Sequence, residues 1–335
     1  MMILTLLLAG IMGISVSLGA VRIPLSKSWS ILLHPILGDR FPGWTVSEAS
    51  IILDLRLPRT FSGAIVGGAL SLAGAVLQAL LRNPLADPFV LGISSGAAVG
   101  AVLAILVGLG STFLGIYAVP GAAFGGALLT LLLVYFISRV EGRVPTQTML
   151  LSGVIISSFF SAIIMFLISI TSNEQIHSIM FWLMGNLEYT GSQSLLVIFL
   201  YFLTGSAVLF LLAKDLNILI LGEEAASGLG VEVERVKKIA FVFASLIIGA
   251  VVSVSGLIGF VGLVVPHVVR LIWGPDHRFL LPASVLMGAM FMVVADTVAR
   301  TALAPSEIPV GVVTALGGAP FFVYLLRKKG HAIYH

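Results

Sequence analysis

Residues 88–138 read PFVLGISSGAAVGAVLAILVGLGSTFLGIYAVPGAAFGGALLTLLLVYFIS and contain no charged side chain. About 20 apolar residues cross a bilayer as a helix, so this stretch is long enough for two crossings, with a break near Gly108-Leu-Gly-Ser111. Comparable uncharged runs recur along the chain, which is only 10% charged, whereas a soluble domain is about 25% charged. The pattern predicts an all-α polytopic membrane protein, because a β-barrel would require short alternating segments instead.

The positions of Lys and Arg assign the loops to the two sides of the membrane, because short cytoplasmic loops are rich in both. The apolar run 239–269 decides the topology. As one helix it would leave the cluster Arg327-Lys-Lys329 outside, whereas a break at Ser253-Val-Ser-Gly256 keeps this cluster inside. We adopt the break, which predicts cytoplasmic termini and about ten crossings, at residues 2–21, 60–81, 91–108, 117–138, 147–170, 191–213, 239–253, 257–271, 279–297 and 308–326.

Two further features complete the predicted architecture. Residues 178–188 are apolar but too few to cross, so we expect a re-entrant or interfacial helix on the outer side, with Trp182 and Tyr189 at the headgroup boundary. No polar stretch is long enough for a second domain. Residues 1–335 are therefore predicted to form a single transmembrane domain, and Gly, Ala and Ser within the spans allow its helices to approach closely.

The composition excludes several kinds of chemistry. The chain has no cysteine, its net charge is only +3, and it contains no Gly-Lys dipeptide, so a thiolate metal site, nucleic-acid binding and a P-loop are not expected. Carboxylates lie near span ends rather than mid-span, which argues against a proton or sodium relay. An ion-coupled carrier remains open, since backbone carbonyls can bind sodium. A membrane enzyme would need convergent ionisable groups, and none is visible.

The loop 221–235, LGEEAASGLGVEVER, is the most polar interruption of this apolar chain. Glu223 and Glu224 suit the first turn of a short helix, and Gly228 and Gly230 provide positions at which it can end. Ala225, Ala226 and Leu229 would form one small apolar face. Two interpretations stand: a solvated connection, or a docking element within a cytoplasmic loop at about 214–236.

Three arginines occupy the opposite, outer ends of predicted helices, where the charge rule does not place them: Arg56, Arg59 and Arg300. Local pairing is one interpretation of these positions, Arg300 with Asp296 one helical turn earlier and Arg56 with Asp54.

Several motifs stand in an order that resembles the FecCD family of ABC importer permeases, over about residues 50–329. These motifs are RLPRT (56–60), GAVLQ (74–78), NPLADP (83–88), LGISSG (91–96), GEEA (222–225), GFVGLVVPH (259–267), DHR (276–278), DTVAR (296–300) and EIPVG (307–311). The resemblance implies a type II ABC importer permease fold and a homodimer in the plasma (inner) membrane of a bacterium or archaeon. It also implies two ATP-binding subunits that hold ATP and Mg, and a periplasmic or lipid-anchored substrate-binding protein.

The resemblance also implies roles for individual residues. Arg56, Arg59 and Arg300 match the arginines that dock the binding protein. ATPase coupling is expected at Leu221, Gly222, Glu223, Glu224, Ala225, Ala226, Gly228, Leu229 and Gly230, and a cytoplasmic gate at Asn83, Leu85, Thr146 and Gln147. Gln78 and Ser94 match pore positions. No cofactor, metal or catalytic residue is expected on this chain, and the cargo would be a ferric siderophore, cobalamin or haem.

Overall fold

The computed structural model describes residues 1–38, 43–109, 115–187 and 192–333 of the chain. The described residues fold almost entirely into helices: α1 (Met2–Ser17), α2 (Leu25–Leu37), α3 (Val46–Ser50), α4 (Leu57–Leu80), α5 (Ile93–Leu106), α6 (Gly115–Ser138), α7 (Thr146–Ser169), α8 (Asn173–Leu183), α9 (Ser192–Leu211), α10 (Ala213–Leu219), α11 (Glu223–Gly228), α12 (Val233–Ser255), α13 (Val261–Trp273), α14 (His277–Thr301) and α15 (Val310–Ile333). This confirms the predicted all-α class.

The helices reproduce the predicted pattern of crossings. Six continuous helical stretches in the described part of the chain are long and apolar enough to span a membrane, and four shorter apolar helices accompany them. The shorter four are α1, α5, α13 and the first part of α15, up to Tyr324. Together the two groups cover all ten predicted segments.

The predicted break after Ser253 is confirmed. Helix α12 ends at Ser255, and Gly256 adopts a φ of 66°, a left-handed conformation that glycine takes without steric cost. The predicted start of this crossing, residue 239, is too late. Helix α12 begins at Val233, so Lys237 lies inside the helix, where it contacts neighbouring segments.

The crossing predicted from residue 60 also begins earlier. A π-helical turn, Ile51–Arg56, joins α3 to α4, and the helical stretch is continuous from Val46 to Leu80. Thr45 starts it with a capping box, in which its hydroxyl accepts from the backbone of Glu48 and the Glu48 carboxylate accepts from the backbone of Thr45. Arg56 and Arg59 therefore lie within a helix rather than before one.

Helix α4 is the centre of the bundle. It packs against α12, α13 and α14, and almost its whole apolar window is buried. Glycine makes the close contacts possible, because a Cβ on Gly74 would overlap the carbonyl of Gly262 in α13, and one on Gly67 would overlap the carbonyl of Gly288 in α14. Small residues thus bring these backbones together, as the sequence predicted.

The short helix expected at 178–188 begins earlier, at Asn173, and forms α8. Its Trp182 is partly buried and packs against the hydrophobic core. The Trp182 carbonyl also abuts Gly256 at the end of α12. Tyr189 lies outside the described residues.

Candidate functional site

Five charged side chains meet where α4 begins and α14 ends: Arg56, Arg59, Asp296, Arg300 and Glu307, here called the arginine cluster. Arg59 donates from Nε to the Asp296 carboxylate at 2.9 Å and from Nη1 to Glu307 at 2.8 Å. Arg300 lies 3.4 Å from the other oxygen of Asp296. The Asp296 side chain is only 2% exposed, so two arginines compensate one buried carboxylate.

Arg56 has a different partner from the one expected. Its guanidinium donates to the carbonyls of Val16 at 3.1 Å and Ser17 at 2.9 Å, and also to the carbonyl of Val21. It therefore satisfies carbonyls at the end of α1, which have no partner within the helix. The local pair with Asp54 is wrong, because Asp54 accepts from Ser50 at 2.7 Å.

Arg300 reaches the same end of α1. Its Nη2 donates to the carbonyl and hydroxyl of Ser15 at 2.6 and 2.7 Å, in addition to the expected pairing with Asp296. Arg56 and Arg300 are only 6% and 4% exposed. Their guanidinium groups thus bind within the chain, and Arg59 and Glu307 carry the more accessible charges of the cluster.

A second set of polar side chains meets at the other end of the bundle: Thr146, Glu223, Glu234 and Lys237, here called the lysine cluster. The Lys237 ammonium lies 3.1 Å from Glu223 in α11 and 3.2 Å from Glu234, one turn earlier in α12. The hydroxyl of Thr146, the first residue of α7, donates to the same Glu223 oxygen at 3.1 Å. Glu234 accepts from the backbone of Val144 at 3.1 Å.

The segment that leads into α11 has a separate attachment. Asn217 in α10 donates to the carboxylate of Asp276 at 2.8 Å and accepts from the backbone of His277 at 2.8 Å, so α10 is joined to the start of α14. Arg278 donates to the same carboxylate, and together these bonds hold the pKa of Asp276 well below its usual range. The loop is therefore anchored to α14 as well as to α7 and α12.

Helix α11 is the short helix expected at 221–235. Gly222 before it and Gly230 after it both have positive φ, 123° and 86°, which explains glycine at these two positions. Ala226 faces the protein and is fully buried, so the predicted apolar face does not include it. The side chains of Leu221 and Leu229 are exposed instead, at 69% and 63%.

The predicted gate residues lie in two places. In the turn after α4, the Asn83 side chain accepts from the backbone of Leu85 at 2.9 Å, and Leu85 is exposed. Gln147 is exposed at the start of α7, beside Thr146. Thr146 contacts Glu223 of α11. In the turn that contains Asn83 and Leu85, the guanidinium of the preceding residue, Arg82, lies next to Gly222.

Gln78 and Ser94, which the resemblance matches to pore positions, are both buried within the chain. Gln78 donates to the carbonyl of Gly262 at 3.2 Å and accepts from Arg270 at 3.0 Å. His267 is also buried, with its ring edge-on to Phe322. The described residues contain no group of three or more His, Asp or Glu that could hold a metal ion.

Sequence reasoning missed Lys237 and Asn217. The spacing of Glu234 and Lys237 is that of an ion pair on one helix face, and this signal was available. Nothing local to Asn217 indicates its bond to Asp276, which is 59 residues away.

The chain-wide order of motifs agrees with a family model described as the FecCD transport family, which matches residues 5–328. The chain belongs to this family. Two relatives illustrate its range. A cobalamin import system permease protein of Halobacterium salinarum is 48% identical, over 83% of this chain and 74% of the relative. A hemin transport system permease protein of Yersinia pestis is 41% identical, over 83% and 84%.

A solved structure supports the same fold for this FecCD family member. It is an inward-facing conformation of a metal-chelate type ABC transporter, with a TM-score of 0.84, 35% identity and 97% of each chain covered. The likeness extends over the whole chain. It therefore includes the ends of the bundle at which the arginine and lysine clusters lie.

Proposed function

We propose that this chain is the membrane-spanning permease subunit of a binding-protein-dependent ABC importer that moves a metal chelate into the cytoplasm. The observation that carries this proposal is α11: a short surface helix flanked by two exposed leucines, Leu221 and Leu229, whose Glu223 is bonded to the first residue of α7. A helix built in this way offers an apolar surface to a partner while remaining attached to the transmembrane bundle. The loop about 214–236, with residues 221–230 at its centre, is the ATPase-coupling element.

The energy comes from a partner, since the sequence has no P-loop signature. Two ATP-binding subunits with ATP and Mg meet the cytoplasmic ends of a homodimer of this chain, which has both termini in the cytoplasm of a bacterium or archaeon. Thr146 and Gln147, together with Asn83 and Leu85, form the cytoplasmic gate. Their contact with, or proximity to, α11 supports this assignment.

The arginine cluster is the docking site for an external substrate-binding protein. The guanidinium of Arg59 binds an acidic group of the partner. This group takes the place of the partly exposed Glu307 carboxylate, which binds Arg59 in the free chain. Arg56 and Arg300 hold the ends of α1 and α14 beneath it, because their own hydrogen bonds are already made within the chain. The sequence analysis expected all three arginines to contact the binding protein; this proposal assigns the contact to Arg59 alone.

The cargo is a ferric siderophore, cobalamin or haem. The relatives named for cobalamin and hemin, and the metal-chelate type transporter, support this class of substrate. An ion-coupled carrier is disfavoured, because the buried carboxylate of Asp296, near the end of α14, is compensated by two arginines and is not available as a relay.

Reconstitution in proteoliposomes tests the proposal. The chain is co-reconstituted with its ATP-binding subunit, and uptake of cobalamin, haem or a ferric siderophore is measured with a loaded binding protein outside and ATP inside. Uptake should require hydrolysable ATP and persist when ionophores collapse proton and sodium gradients. Uptake that ceases with the ionophores but continues without ATP would establish the ion-coupled alternative.

A further inference from the structure

Lys237 is buried, unlike Lys27, Lys214 and Lys238. Its side chain is 5% exposed, yet it carries an ammonium group that must be compensated by charge or hydrogen bonds when it leaves water. Compensation comes from two glutamates on different elements, Glu223 in α11 and Glu234 in α12. The ammonium therefore joins the surface helix α11 to the long helix α12.

Both glutamates continue the connection to a third element. The Glu223 oxygen that binds Lys237 also accepts from the Thr146 hydroxyl at 3.1 Å, and the second oxygen of Glu234 accepts from the backbone of Val144 at 3.1 Å. Residues 144 and 146 lead directly into α7. Two chains of polar contacts, one through Glu223 and one through Glu234, thus connect the buried Lys237 ammonium to the start of α7.

We infer that Lys237 is a positioning residue that locks the coupling helix α11 to the gate end of α7. The inference rests on the proposed function and deepens it by naming the contact that carries motion from one element to the other. When a partner displaces α11, Glu223 moves with it, and the shared hydrogen bonds oblige Thr146 to follow. Without the ammonium, Glu223 and Glu234 repel each other, and the Thr146–Glu223 hydrogen bond is left as the single polar contact between α11 and α7 in the described part of the chain.

Apolar packing cannot replace this lock. Ala226 is the only fully buried side chain of α11, so little apolar surface holds the helix in place. A cavity of about 310 Å³ borders the cluster and is lined in part by Val144, Glu234 and Lys237. This cavity separates α12 from the residues that lead into α7, so displacement passes between these two elements through directional polar contacts rather than through close packing.

The adjacent residue provides a matched control. Lys238 is exposed on the same helix, with its ammonium 5.9 Å from the centre of the Tyr135 ring. Lys237→Met and Lys238→Met therefore remove the same charge, replace it with the same side chain and leave helix propensity equal. Only the first removes the contact with Glu223.

The first measurement does not depend on transport. Hydrogen–deuterium exchange of the full-length protein in nanodiscs is compared for residues 223–230 and 144–149. Lys237→Met should accelerate exchange in both segments, whereas Lys238→Met should leave them at the wild-type rate. Unchanged exchange in Lys237→Met would overturn the lock.

The second measurement uses the complete transporter. In Lys237→Met, the substrate moved per ATP hydrolysed should fall about tenfold, with ATP hydrolysis retained, whereas Lys238→Met should preserve the ratio. Lys237→Arg, which keeps the charge, should restore most of it. Thr146→Val should weaken coupling in the same way, and Thr146→Ser, which keeps the hydroxyl, should not.

Failure of the lock and failure of the proposed function give different results. If Lys237→Met transports with the wild-type ratio while the complex is ATP-driven, the lock is wrong and the importer assignment stands. If the unmodified complex shows no ATP-driven uptake, the importer assignment fails. The exchange measurement then still decides whether Lys237 holds α11 to α7.

Discussion

The arginine cluster and the lysine cluster lie at opposite ends of the bundle. Asp276 and Arg300 mark these two ends on α14, and at about 1.5 Å per residue they are about 36 Å apart. In the arginine cluster the shared carboxylate of Asp296 is almost fully buried, and the excess cations bind backbone carbonyls. In the lysine cluster the cation is buried, while Glu223 and Glu234 are 32% and 40% exposed.

The exposure of the carboxylates distinguishes a rigid contact, the arginine cluster, from one that can adjust, the lysine cluster. A buried carboxylate between two arginines cannot lose a partner without leaving an uncompensated charge, so the ends of α1, α4 and α14 stay together. Glu223 and Glu234 are partly exposed, so they can reorient while each keeps its bond to the buried Lys237 ammonium. The lysine cluster is therefore suited to hold the helix that is proposed to move, and the arginine cluster to hold the proposed docking surface in place.

Replacing Asp296 should produce the largest effect. Asp296→Asn keeps the size of the side chain but leaves Arg59 and Arg300 without their common charge. Removal of one partner from a buried ion pair costs about 3–5 kcal/mol, so the thermal stability of the purified protein should fall sharply.

Glu307→Gln is the control for this prediction, because Glu307 binds the same arginine but is 36% exposed. Its loss should cost about 0–1 kcal/mol. Equal losses of stability in the two variants would show that the cluster is not organised around Asp296 and would remove the contrast between the two ends.

Replacing Arg56 should have an intermediate effect. Arg56→Met removes the hydrogen bonds to the carbonyls at the end of α1, and bonds of this charged kind are worth about 1.5–3 kcal/mol. Limited proteolysis within residues 18–24 should become faster, while Arg22→Met, at an exposed site, should not change it.

The same Arg56 variant sharpens the docking assignment. The affinity of the folded protein for its binding protein should fall less in Arg56→Met than in Arg59→Met, because Arg59 is proposed to make the contact. The opposite order of affinities, with proteolysis unchanged, would make Arg56 a docking residue and not a helix cap.

The smallest effect is expected from lowering the pH at Asp276, whose carboxylate attaches the loop to α14 through Asn217. Hydrogen bonds from Arg278 and Asn217 lower the pKa of Asp276, so the stabilisation by this carboxylate is fully present above the ordinary aspartate pKa. It is lost as the pH falls through the lowered value. Melting curves of the wild type should therefore approach those of Asp276→Asn as the pH falls below about 4. A constant difference down to pH 3 would indicate that Asp276 contributes through shape alone.

Local signals predicted much of the fold. The uncharged runs located the crossings, and the Ser253–Gly256 motif located the break between α12 and α13, because glycine ends helices at a left-handed residue. Glu223 and Glu224, which suit a first turn, and Gly228 and Gly230, at which a helix can end, predicted α11 from local signals as well. In each case the cause lies within a few residues of the effect.

The bounds of the crossings were less predictable. Charged residues such as Lys237 and Arg59 suggested the end of a span, yet each lies inside a helix because a distant carboxylate compensates it. Helix α2 and the π-helical turn before α4 were not predicted. Helix α2 packs with α1 and this turn in a small separate core. This core forms only once the three elements are next to one another, so no local signal predicts it.

The candidate sites divide in the same way. The motifs indicated which residues matter at each end, whereas their partners were predicted only where they lie on one helix, as Asp296 and Arg300 do. The partners of Arg56 are 35 to 40 residues away, and the Thr146–Glu223 bond joins residues 77 apart.

The sequence by itself determined that this protein is a helical membrane permease of the FecCD family, because hydrophobicity, glycine positions and ordered motifs are properties of the chain alone. Only the tertiary structure decided that two of the three arginines hold α1 within the bundle and that Lys237 joins α11 to α12. The physical reason is that a buried charge has a defined role only once its compensating group is known. In this fold, the compensating groups come from helices that are far apart in the chain.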